Sequence, residues 1–474
     1  MEKADDVIVK MTTKPVGSLI ISLAVPTVIS MLVTNIYNTA DTYFVSQLGD
    51  SASGAVGIIF SIMAIIQAIG FTIGMGSGSI ISRLIGAKNG KAANVYSSSA
   101  LVFSFTLGTA AALLGLIFQD SIITKFGATD TILPYARNYA RYIFIGTPFM
   151  ATSFVMNNQL RFQGKARYGM LGLTTGGILN IGLDPLFIFG LDMGISGAAI
   201  ATLISQCISF SILLSMFLRK KSITVLSPKY ISCSFRVYSD IFTTGLPSMF
   251  RQGLGSLAMI FLNTQAKFFG AADQEIINLV TTPSMPAEEI ANAASDAAIA
   301  AMAITNRLFM LLMAVAIGLG QGYQPVCGMN YGAGKYDRLK DAFMFLLKIT
   351  SLLMAVFAAA VFIFAPQIAS FFRDSPAVIH VASFAMRCQA LALPLNGLIF
   401  ASNMTLQTTG RKRSASFTSI LRQGVFYIPL LLILPGHLGI TGIQAAQGIS
   451  DTLTALTSLP FIIFFFRQLR NKPL

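Results

Sequence analysis

The chain is poor in the residues that make water-soluble chemistry. Its 474 residues include no tryptophan, two histidines and four cysteines, and only 11% are charged. Soluble domains carry about 25% charged residues, so a water-facing globular fold does not suit this composition. His380 and His437 are far apart, and Cys207, Cys233, Cys327 and Cys388 follow no metal-ligand spacing. There is therefore no disulfide framework to read. Nor is there a nucleophile–base set or metal cluster for an enzyme, and no cofactor is called for. The phosphate-cradling pattern G-x-x-x-x-G-K-[ST] is absent, so no nucleotide is expected as a partner. Energy must come from a gradient or from another protein. The first 14 residues are polar and mixed in charge, unlike a cleaved signal peptide.

What the chain has instead is apolar length. Hydrophobic residues make up 54% of it and the mean hydropathy is +0.70. Runs of about 20 apolar residues recur, the length that crosses a bilayer. Broken at glycine, proline and basic clusters, they give twelve spans, near 16–45, 54–82, 94–118, 133–157, 169–189, 195–218, 238–268, 297–322, 341–364, 377–402, 416–434 and 441–466. The net charge of +14 is not spread evenly. The N-terminus and alternate loops hold most of the basic residues, among them Lys88, Lys165, Lys220, Lys335, Lys412 and Arg470, while the other loops hold only Lys125 and Arg373. That alternation is the positive-inside bias. It predicts a multi-pass protein of the cell (inner) membrane with both termini in the cytoplasm. It also argues against a nucleic-acid partner, since a basic binding face would not alternate loop by loop.

The chain is also written twice. Leu23-Ala24-Val25-Pro26-Thr27 is answered by Thr244-Gly245-Leu246-Pro247-Ser248, and Asn157-x-x-Leu160-x-x-x-Gly164 by Asn403-x-x-Leu406-x-x-x-Gly410. The offset is 221 residues at Pro26 and 246 at Gly164. The fold class expected is all-α and integral to the membrane: twelve transmembrane helices in two six-helix lobes that form a parallel internal repeat, a plan that carries substrate between the lobes. Residues 1–13 are a cytoplasmic tail, 14–219 the N-lobe, 220–236 a basic cytoplasmic linker, 237–470 the C-lobe and 471–474 a C-terminal tail. The change of offset places an extra outer-side loop at about 271–295, with a short helix expected from Ala287 onward; it holds Pro283, Pro286 and four acids but no lysine or arginine.

Three acids, Asp41, Asp184 and Asp451, fall well inside spans. Each costs roughly 2.5–3.5 kcal/mol to insert at a helix centre, so each is a functional candidate. Asp41, Asp184 and Thr202 lie six or seven residues from the outer ends of spans one, five and six, roughly 9–11 Å deep at about 1.5 Å per residue. Asn180 shares a helix face with Asp184 four residues on. Asp41, Asn180, Asp184 and Thr202 thus form an all-oxygen nest for a hard cation such as sodium, or for a proton. The aligned C-lobe positions hold no acid, and Arg251, Lys267, Arg307, Arg387 and Arg422 lie in or near C-lobe spans instead. Asp451 can neutralise one of these arginines. Pro26 removes a backbone hydrogen bond from span one and is a candidate hinge.

With these residues on the page, the chain resembles the multidrug and toxic compound extrusion (MATE) family over nearly its whole length. The resemblance rests on the six-plus-six repeat, Pro26 with Asp41, and Gly76-Ser77-Gly78 followed by Ser82-Arg83-Leu84-Ile85-Gly86-Ala87. Gly320-Gln321-Gly322-Tyr323-Gln324-Pro325 with Asn330-Tyr331-Gly332-Ala333 adds to it. It implies export of small amphipathic, often cationic compounds by antiport against sodium or protons. In the prokaryotic branch with an N-lobe site, the cation residues fall on Asp41, Asn180, Asp184 and Thr202, and span one bends when its aspartate is neutralised. The expected partners are such substrates and membrane lipids, with the protein working as a monomer. The competing reading is a flippase or exporter of a lipid-linked or peptidic precursor, whose anionic headgroup the C-lobe arginines would suit.

Overall fold

Helices account for almost all of the backbone, because in hydrocarbon each N–H and C=O must find its partner within its own segment. The computed structural model describes residues 4–281 and 285–470, apart from the side chains of Ala4 and Asp50. Among the described residues, twelve helices, or helix pairs joined end to end, are long enough to span. They are α1 (Val16–Ser46), α2 (Asp50–Gly86), α3 (Gly90–Ile117), α4 (Leu133–Phe162), α5 (Ala166–Gly190) and α6 (Gly194–Leu218). The second repeat supplies α7 (Phe235–Ala272), α8 (Ala287–Gly332), α9 (Tyr336–Phe372), α10 (Pro376–Thr408), α11 (Lys412–Leu438) and α12 (Ile440–Arg470). The two six-helix lobes follow from this order. Large side chains such as Ile117, Leu352, Val356, Phe371 and Phe464 are more than half exposed, which suits lipid and not water.

Ten of the twelve are apolar enough to be recognised as spans by composition among the described residues. The other two are α4, with Arg137, Arg141 and Arg161, and α7, with Arg236, Asp240, Arg251 and Lys267. Helix α4 tolerates its polarity because it packs against α2, α3, α5 and α6 and sees protein more than lipid. Its Arg161 is 2% exposed, lies over the Phe162 ring and donates to Gln324 Oε1 at 2.8 Å and to the Gln321 carbonyl at 3.2 Å.

The chain clusters into two compact units. One comprises Met1–Met249, Gln321–Ala342 and Gln407–Gly410; the other comprises Phe250–Gly320, Phe343–Leu406 and Arg411–Leu474. The first unit takes in the glycine-rich end of α8 for a steric reason. A Cβ on Gly322 would lie 2.6 Å from Ala24 Cα of α1, and one on Gly332 would lie 2.0 Å from the Arg83 carbonyl oxygen of α2. Small residues at crossings let backbones approach closely, and dispersion then holds the helices together.

Two segments differ in character from the expectation. Residues 1–13 were expected as a tail, but Ala4–Thr13 is a helix with Val7, Ile8 and Met11 buried. Asn330 Nδ2 donates to the Met11 carbonyl (3.1 Å) and Lys335 Nζ to the Thr12 carbonyl (3.2 Å), satisfying the last acceptors of the helix. The segment at 271–295 is not a loose loop. Asp273 caps a short helix, Gln274–Val280, Ile276 is fully buried, and Glu275 lies 3.5 Å from His380. Helix α8 begins at Ala287, so Asp296 falls inside a helix, where it stays exposed. Pro283 lies outside the described residues.

Candidate cation-binding site

The site is built on α5, and the glycines of α5 position it. A Cβ on Gly172 would lie 2.4 Å from Leu213 Cγ of α6, one on Gly176 2.9 Å from Ser209 Cβ of α6, and one on Gly177 3.1 Å from Val33 Cγ1 of α1. With no side chains there, α1 and α6 both close on α5. One turn further on, Asn180 and Asp184 point into the space so narrowed. Pro185 follows and can donate no hydrogen bond, and the helix relaxes into a π-helical turn over Leu186–Gly190. Such turns recur at functional sites.

The structure brings the predicted residues together. Asn180 Nδ2 donates to Asp184 Oδ1 at 3.0 Å and to Thr202 Oγ1 of α6 at 3.3 Å. Asp184 is 0% exposed, Asn180 2% and Thr202 6%. Asp41, partly buried on α1, lies close enough to Asp184 for the two carboxylates to repel. The arrangement leaves acceptors without donors. Asp41 Oδ1, Asn180 Oδ1 and Asp184 Oδ2 are each buried and unbonded among the described residues. Buried acceptors are expensive to leave this way. Three such oxygens in one place, two of them on carboxylates, fit a hard cation or a proton. They do not suit a transition metal: no group of three or more His, Cys, Asp or Glu that could hold one occurs among the described residues.

Two tyrosines complete the cluster, and the sequence reading did not single them out. The Tyr139 hydroxyl of α4, 1% exposed, donates to Asp41 Oδ2 at 3.2 Å and also meets the Thr202 hydroxyl. Tyr37 precedes Asp41 by one helical turn and feels both carboxylates. The depth rule that selected Asp41 would have found Tyr139, which lies six residues into α4 from Leu133. A cavity of about 20 Å³, enough for one water-sized occupant, opens beside the cluster. Tyr37, Asn180, Thr202, Ser205 and Gln206 line it.

Pro26 sits elsewhere on α1. The helical backbone runs through it without interruption from Val16 to Ser46. The hydrogen bonds around it are local, from Thr27 Oγ1 to the Leu23 carbonyl (3.1 Å) and from Ser30 Oγ to the Pro26 carbonyl (3.0 Å). In the other repeat, Asp451 pairs with Arg422 as a two-pronged fork, at 2.8 and 3.0 Å. Of the two histidines, His380 meets Glu275.

Known proteins of this kind align along the chain. A family model described as MatE matches residues 26–186 and 290–433. The multidrug export protein MepA of Staphylococcus saprophyticus is 28% identical over 446 residues, 94% of this chain and 93% of that protein. MepA of Staphylococcus aureus is 28% identical over 455 residues, 96% of this chain and 95% of that protein. Among solved structures, an outward-facing conformation of a multidrug resistance MATE family transporter superposes with a TM-score of 0.87 at 26% identity, covering 98% of this chain and 99% of that one. A MATE structure in a straight conformation gives 0.88 at 26% identity, with 98% and 99% covered. One in a bent conformation gives 0.87 at 26% identity, with 98% of both chains covered.

Proposed function

The chain belongs to the MatE family, and we propose that it exports small amphipathic, often cationic compounds across the cell membrane in exchange for sodium or protons. The relatives named as multidrug export proteins support the substrate class. One observation carries the coupling: two aspartates, an asparagine, a threonine and a tyrosine meet inside the first repeat with three buried acceptor oxygens unbonded. A membrane-buried pair of carboxylates is costly while charged and cheap once neutralised. Entry of a cation or proton at Asp41 and Asp184 removes their mutual repulsion, so the packing of α1 against α5 and α6 depends on the occupant. That dependence gives a gradient a handle on the protein's shape, and a ligand shifts such an equilibrium only by its differential affinity for the two states.

Neither terminus is constrained to a side by the fold alone. The alternation of basic loops supports cytoplasmic termini, with the site nearer the outer face. Pro26 is the candidate hinge of α1, and solved MATE structures described as a straight and a bent conformation support a protein of this kind that takes two shapes. The deciding experiment is efflux of a cationic dye from vesicles, with the sodium gradient and the proton gradient imposed separately. Export driven by one gradient and abolished by Asp41→Asn supports antiport through this site. Dye movement that only follows its own gradient overturns it.

A further inference from the structure

The second repeat holds a cation that no ion pair among the described residues neutralises. Arg251 lies in the middle of α7, 16 residues from its start at Phe235 and 21 from its end at Ala272. It makes no hydrogen bond or ion pair among the described residues, and its Nη1 is buried. Its side chain is nevertheless only partly covered. A guanidinium at that depth cannot face lipid cheaply, and unpaired ionisable groups inside spans mark substrate paths.

The neighbouring acid is already used up. Asp451 Oδ1 accepts from Arg422 Nε at 2.8 Å and from Gln447 Nε2 at 2.7 Å, and Oδ2 accepts from Arg422 Nη2 and Asn396 Nδ2, both at 3.0 Å. Both oxygens therefore carry two donors each, and no capacity is left for Arg251. Arg422 in turn lies close enough to Arg251 for the two cations to repel. Two arginines thus stand against one carboxylate that is bound to only one of them, and the cluster keeps a net positive charge in the membrane.

The backbone is irregular at the same point. Arg422 sits in a π-helical turn, Leu421–Tyr427, whose Arg422 carbonyl accepts from Ser450 Oγ at 2.6 Å. Gly424 of that turn lets α7 come close: a Cβ there would be 3.0 Å from Leu254 Cδ1, one turn beyond Arg251. Phe400 supplies an aromatic face to Arg422 at 5.6 Å. A positive fork, an aromatic wall and a widened turn together make a receptor for an anion carried on an apolar body.

We propose that Arg251, set beside the saturated Arg422–Asp451 pair, is an anion-binding subsite that takes the carboxylate or phosphate of an amphipathic compound. The substrates of the chain then include zwitterions and anions as well as cations. A planar guanidinium with free donors suits a bidentate oxyanion. This rests on the reading of the chain as an exporter only for its biological meaning; binding itself is tested without any gradient.

The probes are a cationic xanthene dye as its ethyl ester and the same dye as its free acid. Binding to the purified full-length protein is measured by fluorescence polarisation. The acid is expected to bind at least about tenfold more tightly than the ester, the lower range for a charge-assisted hydrogen bond. In Arg251→Gln that ratio should collapse to about one, while Arg251→Lys should keep part of it. An equal affinity for acid and ester in the wild type, no binding of the acid, or a preference untouched in Arg251→Gln overturns the subsite. Where Arg251→Gln is not recovered folded, the Arg251→Lys ratio decides: it must fall below the wild type, because an ammonium cannot reproduce the fork. Displacement of the bound acid by a short-chain phosphatidic acid and not by benzoate assigns the site to a lipid headgroup, and the reverse assigns it to a soluble carboxylate. Failure here leaves gradient-driven export through Asp41 standing, and loss of that export leaves the acid-to-ester ratio intact.

Discussion

A charged side chain inside a membrane is the rarest and costliest choice a sequence can make, and here three such acids have two fates. Asp41 and Asp184 keep buried oxygens unbonded, whereas Asp451 has every lone-pair direction taken. Asp41→Asn should therefore abolish gradient-driven export while the protein still inserts, because removing a buried charge relieves desolvation cost instead of adding to it. Asp184→Asn should be nearly as severe. Dye export from energised vesicles, normalised to the amount of protein in the membrane, checks both, and normal export would remove these residues from the coupling. Asp451→Asn should instead lower thermal stability, on the order of 3 kcal/mol, the cost of leaving a buried partner uncompensated. Its cation dependence of export should be unchanged; a shifted dependence at normal stability would mean that the second repeat couples ions too. Asp41, Asn180, Asp184 and Thr202 were legible in the sequence because acids are scarce in spans and share one depth. Tyr37 and Tyr139 were less so, because a tyrosine in a span is cheap and common: Tyr139 shares the depth of the acids, but only its contact with Asp41 makes it part of the cluster. The isolation of Arg251 was equally invisible, since it depends on where the donors of Gln447 and Asn396 are spent.

At the scale of the helix, two prolines in equivalent places of the repeat have different surroundings. Around Pro247, Gln407 Nε2 bonds the Thr244 carbonyl at 3.3 Å and Ser248 Oγ at 2.9 Å, fixing α7 from outside. Around Pro26 all side-chain bonds are internal to α1, so nothing but packing resists a bend. Pro26→Ala restores a helical hydrogen bond and should raise stability, by up to about 3 kcal/mol. Turnover should fall and equilibrium drug binding should change little. Pro247→Ala should leave turnover near normal. Paired measurements of turnover and melting temperature decide it, and equal effects of the two substitutions would reduce Pro26 to a packing residue. The segment after Gly270 makes a second element-scale case. Deleting 271–295 removes the buried Ile276 and the Glu275–His380 contact, so the melting temperature should drop even where transport survives. Undiminished stability would show that the short helix is only draped on the surface. The change of repeat offset is what marks this segment as an insertion in the sequence. Its docking could not be read, because seven residues, Gln274–Val280, are too short for the apolar Ile276, Ile277, Leu279 and Val280 to show a helical period. The polar spans α4 and α7 were legible for a related reason: the repeat and the alternation of loops demanded a span where hydropathy alone was weak.

For the molecule as a whole, the repeat predicts two similar halves and the charges make them unlike: Asp41 and Asp184 keep unbonded oxygens in one, and in the other Arg251 lies near an Arg422–Asp451 pair. The twelve-span order was legible because every bilayer crossing must be long and apolar and every turn punctuated. The division into compact units was not, because it follows from glycine approaches such as Gly322 to Ala24 that only three dimensions reveal. Orientation is the whole-molecule property that the sequence predicts most sharply and that the fold leaves free. If the basic loops face the cytoplasm, as lysine and arginine in short loops dictate, the link between α6 and α7 lies inside. That link contains Cys233, which is exposed, while Cys327 is buried and Cys207 and Cys388 are half-buried within spans. Cys233 is thus a native reporter. A membrane-impermeant maleimide should label it in inside-out vesicles and leave it unlabelled in right-side-out ones. A cysteine placed at the exposed Asp130, between α3 and α4, should behave in the opposite way once Cys233 is changed to serine. The pair is needed because a leaky vesicle labels both positions and an inverted protein exchanges them. Exchange would put the Asp41–Asp184 cluster nearer the cytoplasm, and the proposed direction of antiport would have to be reversed with it.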